Sequence, residues 1–173
     1  MNKATTNGAA PLLLASEEGH GDIVKLLLAA SADVNRTAKN GAIEGITPLL
    51  VAMKEGHPEI AKLLIAAKAD VSKARSDGES PLYLASLNGY TDVVDLLLAA
   101  GAEVNGAKIN GATSLLVASQ EGYTEIVKRL LAAKADVNKA RTDGATPLLM
   151  ASQEGHAEIV KLQLHQKRCD LGR

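Results

Sequence analysis

The sequence predicts an all-α solenoid, a line of helix–turn–helix units with protruding turn loops, and three observations carry that expectation. Thr47-Pro48-Leu49-Leu50, Ser80-Pro81-Leu82-Tyr83, Thr113-Ser114-Leu115-Leu116 and Thr146-Pro147-Leu148-Leu149 begin 33 residues apart. Gly56-His57, Gly89-Tyr90, Gly122-Tyr123 and Gly155-His156 follow at the same period. Between them, Leu, Ile, Val and Ala fall at helical spacing in segments too short to stand alone. An earlier copy runs from Ala10-Pro11-Leu12-Leu13 to Gly19-His20. Pro11 and Pro48 are 37 residues apart, so four residues are inserted around Ala38 to Gly41.

Within one unit, Thr47 is a helix N-cap, and Pro48 suits the first helical position, where its missing N–H costs nothing. Leu49, Ala52 and Met53 give the first helix its apolar face, and Gly56 stops it. Glu59 suits the start of the second helix, where an acid complements the helix dipole. Ile60, Leu63, Leu64 and Ala67 form the buried stripe, with Lys62 and Glu59 as a solvent-facing pair. Ala69-Asp70-Val71 leads into a loop ending at Asp77-Gly78. A single unit of this kind cannot bury its own apolar face, but stacked copies can.

These units resemble the ankyrin repeat family. The likeness rests on the Thr-Pro-Leu helix start, the Gly-His or Gly-Tyr turn, and Ala-Asp-Val-Asn at Ala32–Asn35 and Ala135–Asn138. It implies one ankyrin-repeat domain over residues 1–173, with repeats at about 5–37, 42–74, 75–107, 108–140 and 141–173. The chain departs from the family pattern in three ways. Leu13, Leu50, Leu116, Leu149 and Tyr83 stand where the family places a turn-bracing His. Ser31, Lys68 and Lys134 replace the Gly that survives as Gly101, which predicts left-handed backbone at a cost. Ala10 replaces the capping Thr, a loss of about 1 kcal/mol in the first repeat.

The ends differ from each other. Leu12, Leu14, Ile23 and Leu27 match interior copies, and Asn2-Lys3-Ala4 mirrors the junction Asn138-Lys139-Ala140. A chain cut from a longer array, or engineered from one, is the reading, and a capping helix before Gly8 would contradict it. Gln163 replaces the Leu of positions 27, 64, 97 and 130, and His165, Gln166, Lys167 and Arg168 follow. The last helix is therefore expected to be polar on its outer side.

Composition narrows the function. The formal charge is −1 and the chain has no Phe, no Trp and three Tyr, which argues against a nucleic-acid partner. One cysteine, Cys169, forms no internal disulfide, and a reducing, intracellular and cytoplasmic setting is expected. No apolar run reaches the roughly 18 residues of a membrane span. His20, His57 and His156 share one repeat position with Tyr90 and Tyr123, which points to turn packing rather than zinc. Ser16, Ser86, Ser119 and Ser152 lack a positioned base. No strand of consequence and no glycine-rich phosphate loop is expected, and neither a cofactor nor an enzymatic activity.

The ankyrin resemblance implies that a protein partner lies on a concave face made of loop tips and first helices. Its expected contact residues are Ile43, Glu44, Ile46, Lys54, Glu55, Asp77, Glu79, Tyr83, Leu87, Asn88, Ile109, Asn110, Gln120 and Glu121. Thr6, Asn7 and Ala9 extend the loop tips into the first repeat. Ile43, Ile46, Leu87 and Ile109 are the apolar anchors, with Tyr83 lending its ring. Their triple alanine form (Ile46, Leu87 and Ile109) is expected to lose a partner without losing thermal stability. Glu18, Glu55, Glu121 and Glu154 form an acidic row, while Lys73, Arg75, Lys108, Lys139 and Arg141 form a basic row that would steer the partner.

The expected function is a non-enzymatic protein–protein interaction module. The alternatives are a structural spacer, a fragment of a longer array, or an engineered ankyrin binder, although the irregular copies argue for a natural array. Asn35, Asn105 and Asn138 resemble loop asparagines that some ankyrin proteins present for hydroxylation. A monomer is expected, with a dimer through the first repeat as the other possibility.

Overall fold

A computed structural model describes residues 10–40 and 43–171 of the chain. Ten helices appear among them, in five successive pairs. The first helices are α1 (Pro11–Glu17), α3 (Pro48–Lys54), α5 (Pro81–Leu87), α7 (Ser114–Gln120) and α9 (Pro147–Gln153). Their partners are α2 (Gly21–Ala29), α4 (Pro58–Ala66), α6 (Thr91–Ala99), α8 (Thr124–Ala132) and α10 (Ala157–Leu171). Odd-numbered helices pack on one another in one row and even-numbered helices in a second. Each pair is thus buried against its sequence neighbours, the arrangement the period required.

The caps follow the residue types. Thr47, Ser80, Thr113 and Thr146 each accept the backbone N–H three residues on, all at 3.2 Å. Ala10 caps nothing, as expected of a methyl side chain. The second helices end in left-handed residues: Ser31 at φ 59°, Lys68 at 66°, Gly101 at 84° and Lys134 at 68°. At the first of these, Ala32 N–H reaches Leu27 O and Ser31 N–H reaches Leu28 O, both at 3.0 Å. Two orphan carbonyls are satisfied by that Schellman arrangement, which offsets the roughly 1–2 kcal/mol of an L-residue at positive φ.

Leu49, Leu50, Met53, Leu64, Leu82, Leu97, Leu115, Leu116, Ile126, Leu130 and Ile159 are all under 2% exposed, and they form one continuous core along the array. Full burial of each such side chain is worth about 1.5–3 kcal/mol. Leu rows fill most of the space between the helix layers, with Tyr83 buried among them and Tyr90 and Tyr123 packed against them.

Two features depart from expectation. The insertion is an antiparallel hairpin, β1 (Ala38–Asn40) with β2 (Ile43–Ile46), rather than an irregular loop. Ala38 and Ile46 pack with Leu13 and Val51 in a small apolar cluster beside the main core. Strand structure is otherwise limited, among the described residues, to a bridge between Ala107 and Thr113.

The second departure is Gln163. Its side chain is 0% exposed and points inward, so the last helix is not polar through this residue. Its Nε2–H donates to Ser119 Oγ at 2.6 Å, while its Oε1 is buried without a partner. A buried, unsatisfied amide oxygen is costly. Ser119 also donates to Leu115 O at 2.6 Å and does not depend on Gln163. Gln163→Leu is therefore expected to stabilise the protein by about 1–2 kcal/mol. An unchanged or lowered melting temperature would count against this account.

Neighbouring repeats are also stapled through their loops. Asn35 Oδ1 accepts Asp70 N–H at 2.7 Å, and Asn105 Oδ1 accepts Asp136 N–H at 2.8 Å. These asparagine side chains are committed to the fold. At the matching junction Ser72 is too short for this and turns back to Asp70, at 2.6 Å. Ser72→Asn should supply the missing bond to Glu103 N–H and add about 1 kcal/mol. Hydrogen exchange at Glu103 reads it: slower exchange is the expected result.

Candidate protein-binding groove

The loops between repeats form fingers, and each finger is built the same way. Asp77, Asn110 and Asp143 accept the N–H two residues on, each at 3.1 Å, which closes an Asx turn. Successive fingers are tied by backbone bonds. Ser76 N–H reaches Glu44 O at 3.1 Å, Ile109 N–H reaches Asp77 O at 3.0 Å, and Thr142 N–H reaches Asn110 O at 2.8 Å. Asp77 and Asn110 are therefore turn formers first, whatever they offer a partner.

Charge on the fingers is largely consumed within the chain. Glu79 is buried and meets Arg75 at 2.5 Å and Lys108 at 3.0 Å. Burial works against the Lys108 ammonium, but the Glu79 hydrogen bond and charge outweigh it and raise its pKa above the usual lysine value. That ammonium lies 5.2 Å from the Tyr83 ring centroid. Tyr83 is itself only 8% exposed, and burial raises its phenol pKa. Arg141 grips Asp143, whose carboxyl is held at about 2 by that hydrogen bond. Lys73 and Lys139 donate to the Asn35 and Asn105 carbonyls, at 3.3 and 2.7 Å. The basic row is thus a set of internal braces.

The acidic row differs. Glu18, Glu55 and Glu154 are exposed and carry no ion pair among the described residues, and Glu121 accepts from Gln120 at 3.3 Å. Lys54 is exposed and unpaired between them.

The remaining expected contact residues fall into distinct settings. Ile109 is 77% exposed at a finger tip. Glu44 is exposed, and its N–H meets Ser76 Oγ at 3.2 Å. Ile46 and Leu87 are half-buried against core residues, so the triple alanine change would cost stability after all. Asn88 is half-buried, with its amide on Met53 O at 3.2 Å. The side chain of Ile43 lies outside the described residues, as do Thr6, Asn7, Ala9 and any helix before Gly8. Glu79 and Tyr83 sit in the interior of the fingers and offer a partner little surface.

Sequence reasoning did not bring out the cavity beside α3. Glu17, Ile46, Leu50, Val51, Lys54, Glu55 and Arg75 line it, around a volume of about 80 Å³. Val51 carries no sequence signal for this role, since the helical pattern marks it only as apolar.

Two of the histidines and three of the serines are committed to the fold. His57 Nε2 lies 3.1 Å from Glu17 O and His156 Nε2 lies 3.0 Å from Gln120 O, each linking one repeat to the one before. Ser16, Ser119 and Ser152 donate to the carbonyl four residues back, at 2.6–2.7 Å. Among the described residues no three of His, Cys, Asp and Glu are grouped as metal ligands, and no helix is long and apolar enough to cross a membrane.

Paired helices in two rows, with bonded fingers along one edge, define a helical repeat solenoid. A family model for ankyrin repeats (three copies) matches residues 12–108 and again 104–173. The chain belongs to the ankyrin repeat family, whose members are in general protein–protein interaction modules. Among curated proteins no relative matches it.

Proposed function

We propose that this protein is a non-enzymatic scaffold that holds a protein partner against its fingers and first helices. The observation that carries this reading is Ile109. A large aliphatic side chain, 77% exposed, stands on a finger whose backbone is bonded to the finger before it. Interfaces draw their energy from such apolar anchors within a polar rim, and a preordered anchor loses little entropy on binding. The exposed charges of Lys54, Glu55, Glu121 and Glu154 supply that rim. A cytoplasmic setting fits the single thiol.

Affinity purification with cross-link mapping tests the reading, using native protein beside an Ile109→Asp variant. The side chain touches little of the fold, so the melting temperature should hold while partner recovery falls at least about tenfold. Equal recovery by the two proteins, or cross-links confined to the even-numbered helices, would overturn it and favour a spacer with an empty groove.

A further inference from the structure

The cavity lined by α1, α3 and the first two fingers has the features of a side-chain receptor, and three observations define its occupant. Its floor is apolar: Leu50 and Val51 are 1% and 6% exposed, while Ile46 above them remains half-exposed. Its volume of about 80 Å³ is roughly half of the ~150 Å³ that takes up benzene, which suits a branched aliphatic group better than an aromatic ring. Its rim carries two unpaired carboxylates, Glu17 and Glu55, against one unpaired ammonium, Lys54. The fourth rim charge, Arg75, is already neutralised by Glu79 and Asp77, at 2.5 and 3.6 Å.

We infer that this cavity receives one valine, leucine or isoleucine side chain from a partner segment that carries arginine or lysine on either side of it. The inference rests on the groove reading above and specifies the chemistry that the groove selects. The aliphatic group covers Ile46, Leu50 and Val51, and the flanking cations meet Glu17 and Glu55. The inserted hairpin makes the site particular to the first two repeats, because Ile46 belongs to its second strand.

Fluorescence polarisation with labelled heptapeptides tests this, using centres Arg-Leu-Arg, Arg-Ala-Arg, Asp-Leu-Asp and Arg-Trp-Arg. The Arg-Leu-Arg peptide should bind tightest, with each of the others about tenfold or more weaker. In nitrogen-15 NMR spectra its shifts should centre on the amides of Ile46, Val51 and Glu55. Glu55→Lys should weaken that peptide about tenfold, while Asp22→Lys, exposed on α2 of the first repeat and away from the groove, should not; melting curves confirm that both variants fold. Equal affinity for the leucine and alanine peptides, equal loss in the two lysine variants, or shifts centred elsewhere would overturn the assignment. Should Ile109→Asp abolish partner recovery while the peptides behave in that way, the groove reading stands and this inference alone falls.

Discussion

Gly78→Ala is expected to destabilise the protein by about 3 kcal/mol, while Gly144→Ala, at the same place in the last finger, costs only about 1 kcal/mol. Both glycines have positive φ, 84° and 86°, so both substitutions incur the backbone strain. They differ in their neighbours. A methyl group on Gly78 would lie 2.7 Å from Lys108 Cα and 2.8 Å from Ala107 O, both backbone atoms of the next finger. One on Gly144 meets nothing within 4 Å. The next finger has to move away, and the bond from Ile109 N–H to Asp77 O goes with it. Chemical denaturation of the two variants side by side is the check. If both lose the same stability, the close approach of fingers plays no energetic role.

The second large effect belongs to Glu79. Its carboxylate holds both Arg75 and Lys108, with side-chain exposures of 12%, 11% and 23% for the three residues. Glu79→Ala leaves two cations facing each other beside a buried ring. Removing one partner of a buried pair costs about 3–5 kcal/mol, and here about 2–3, because Lys108 still reaches water and Asp77 still holds Arg75. Glu79→Gln keeps the shape and one acceptor, and should recover part of the loss. Melting temperatures of the three proteins rank them. A stable alanine variant would mean that the cations find water at little cost, and that the finger is held by its turn alone.

Much of the fold was legible because the repeat multiplies every local signal. One Thr-Pro pair is a weak helix start, but caps at Thr47, Ser80, Thr113 and Thr146 in register leave little room for another reading. The left-handed backbone at Ser31, Lys68 and Lys134 was legible for the same reason, since Gly101 marks the position. The groove was harder to read. Glu79 and Tyr83 look like exposed loop and helix residues, yet both are buried by groups from a neighbouring repeat, Lys108 among them. Periodicity tells which face of a helix a residue occupies within its own unit, but not what the next unit lays over it. Gln163 shows the opposite error: its place in the repeat marked it as buried, and its polarity was given more weight than its place. The hairpin at Ala38–Ile46 was visible only as four surplus residues, because one copy carries no period of its own.

The surplus is taken up in the finger that carries the β1–β2 hairpin, while α3 directly after it keeps the hydroxyl cap of the later copies. Length changes in such a chain are therefore confined to the fingers, the part proposed to meet a partner. Lineages can lengthen, shorten or swap a finger by small insertions and change what is recognised, and the load-carrying rows of helices need no compensating substitutions.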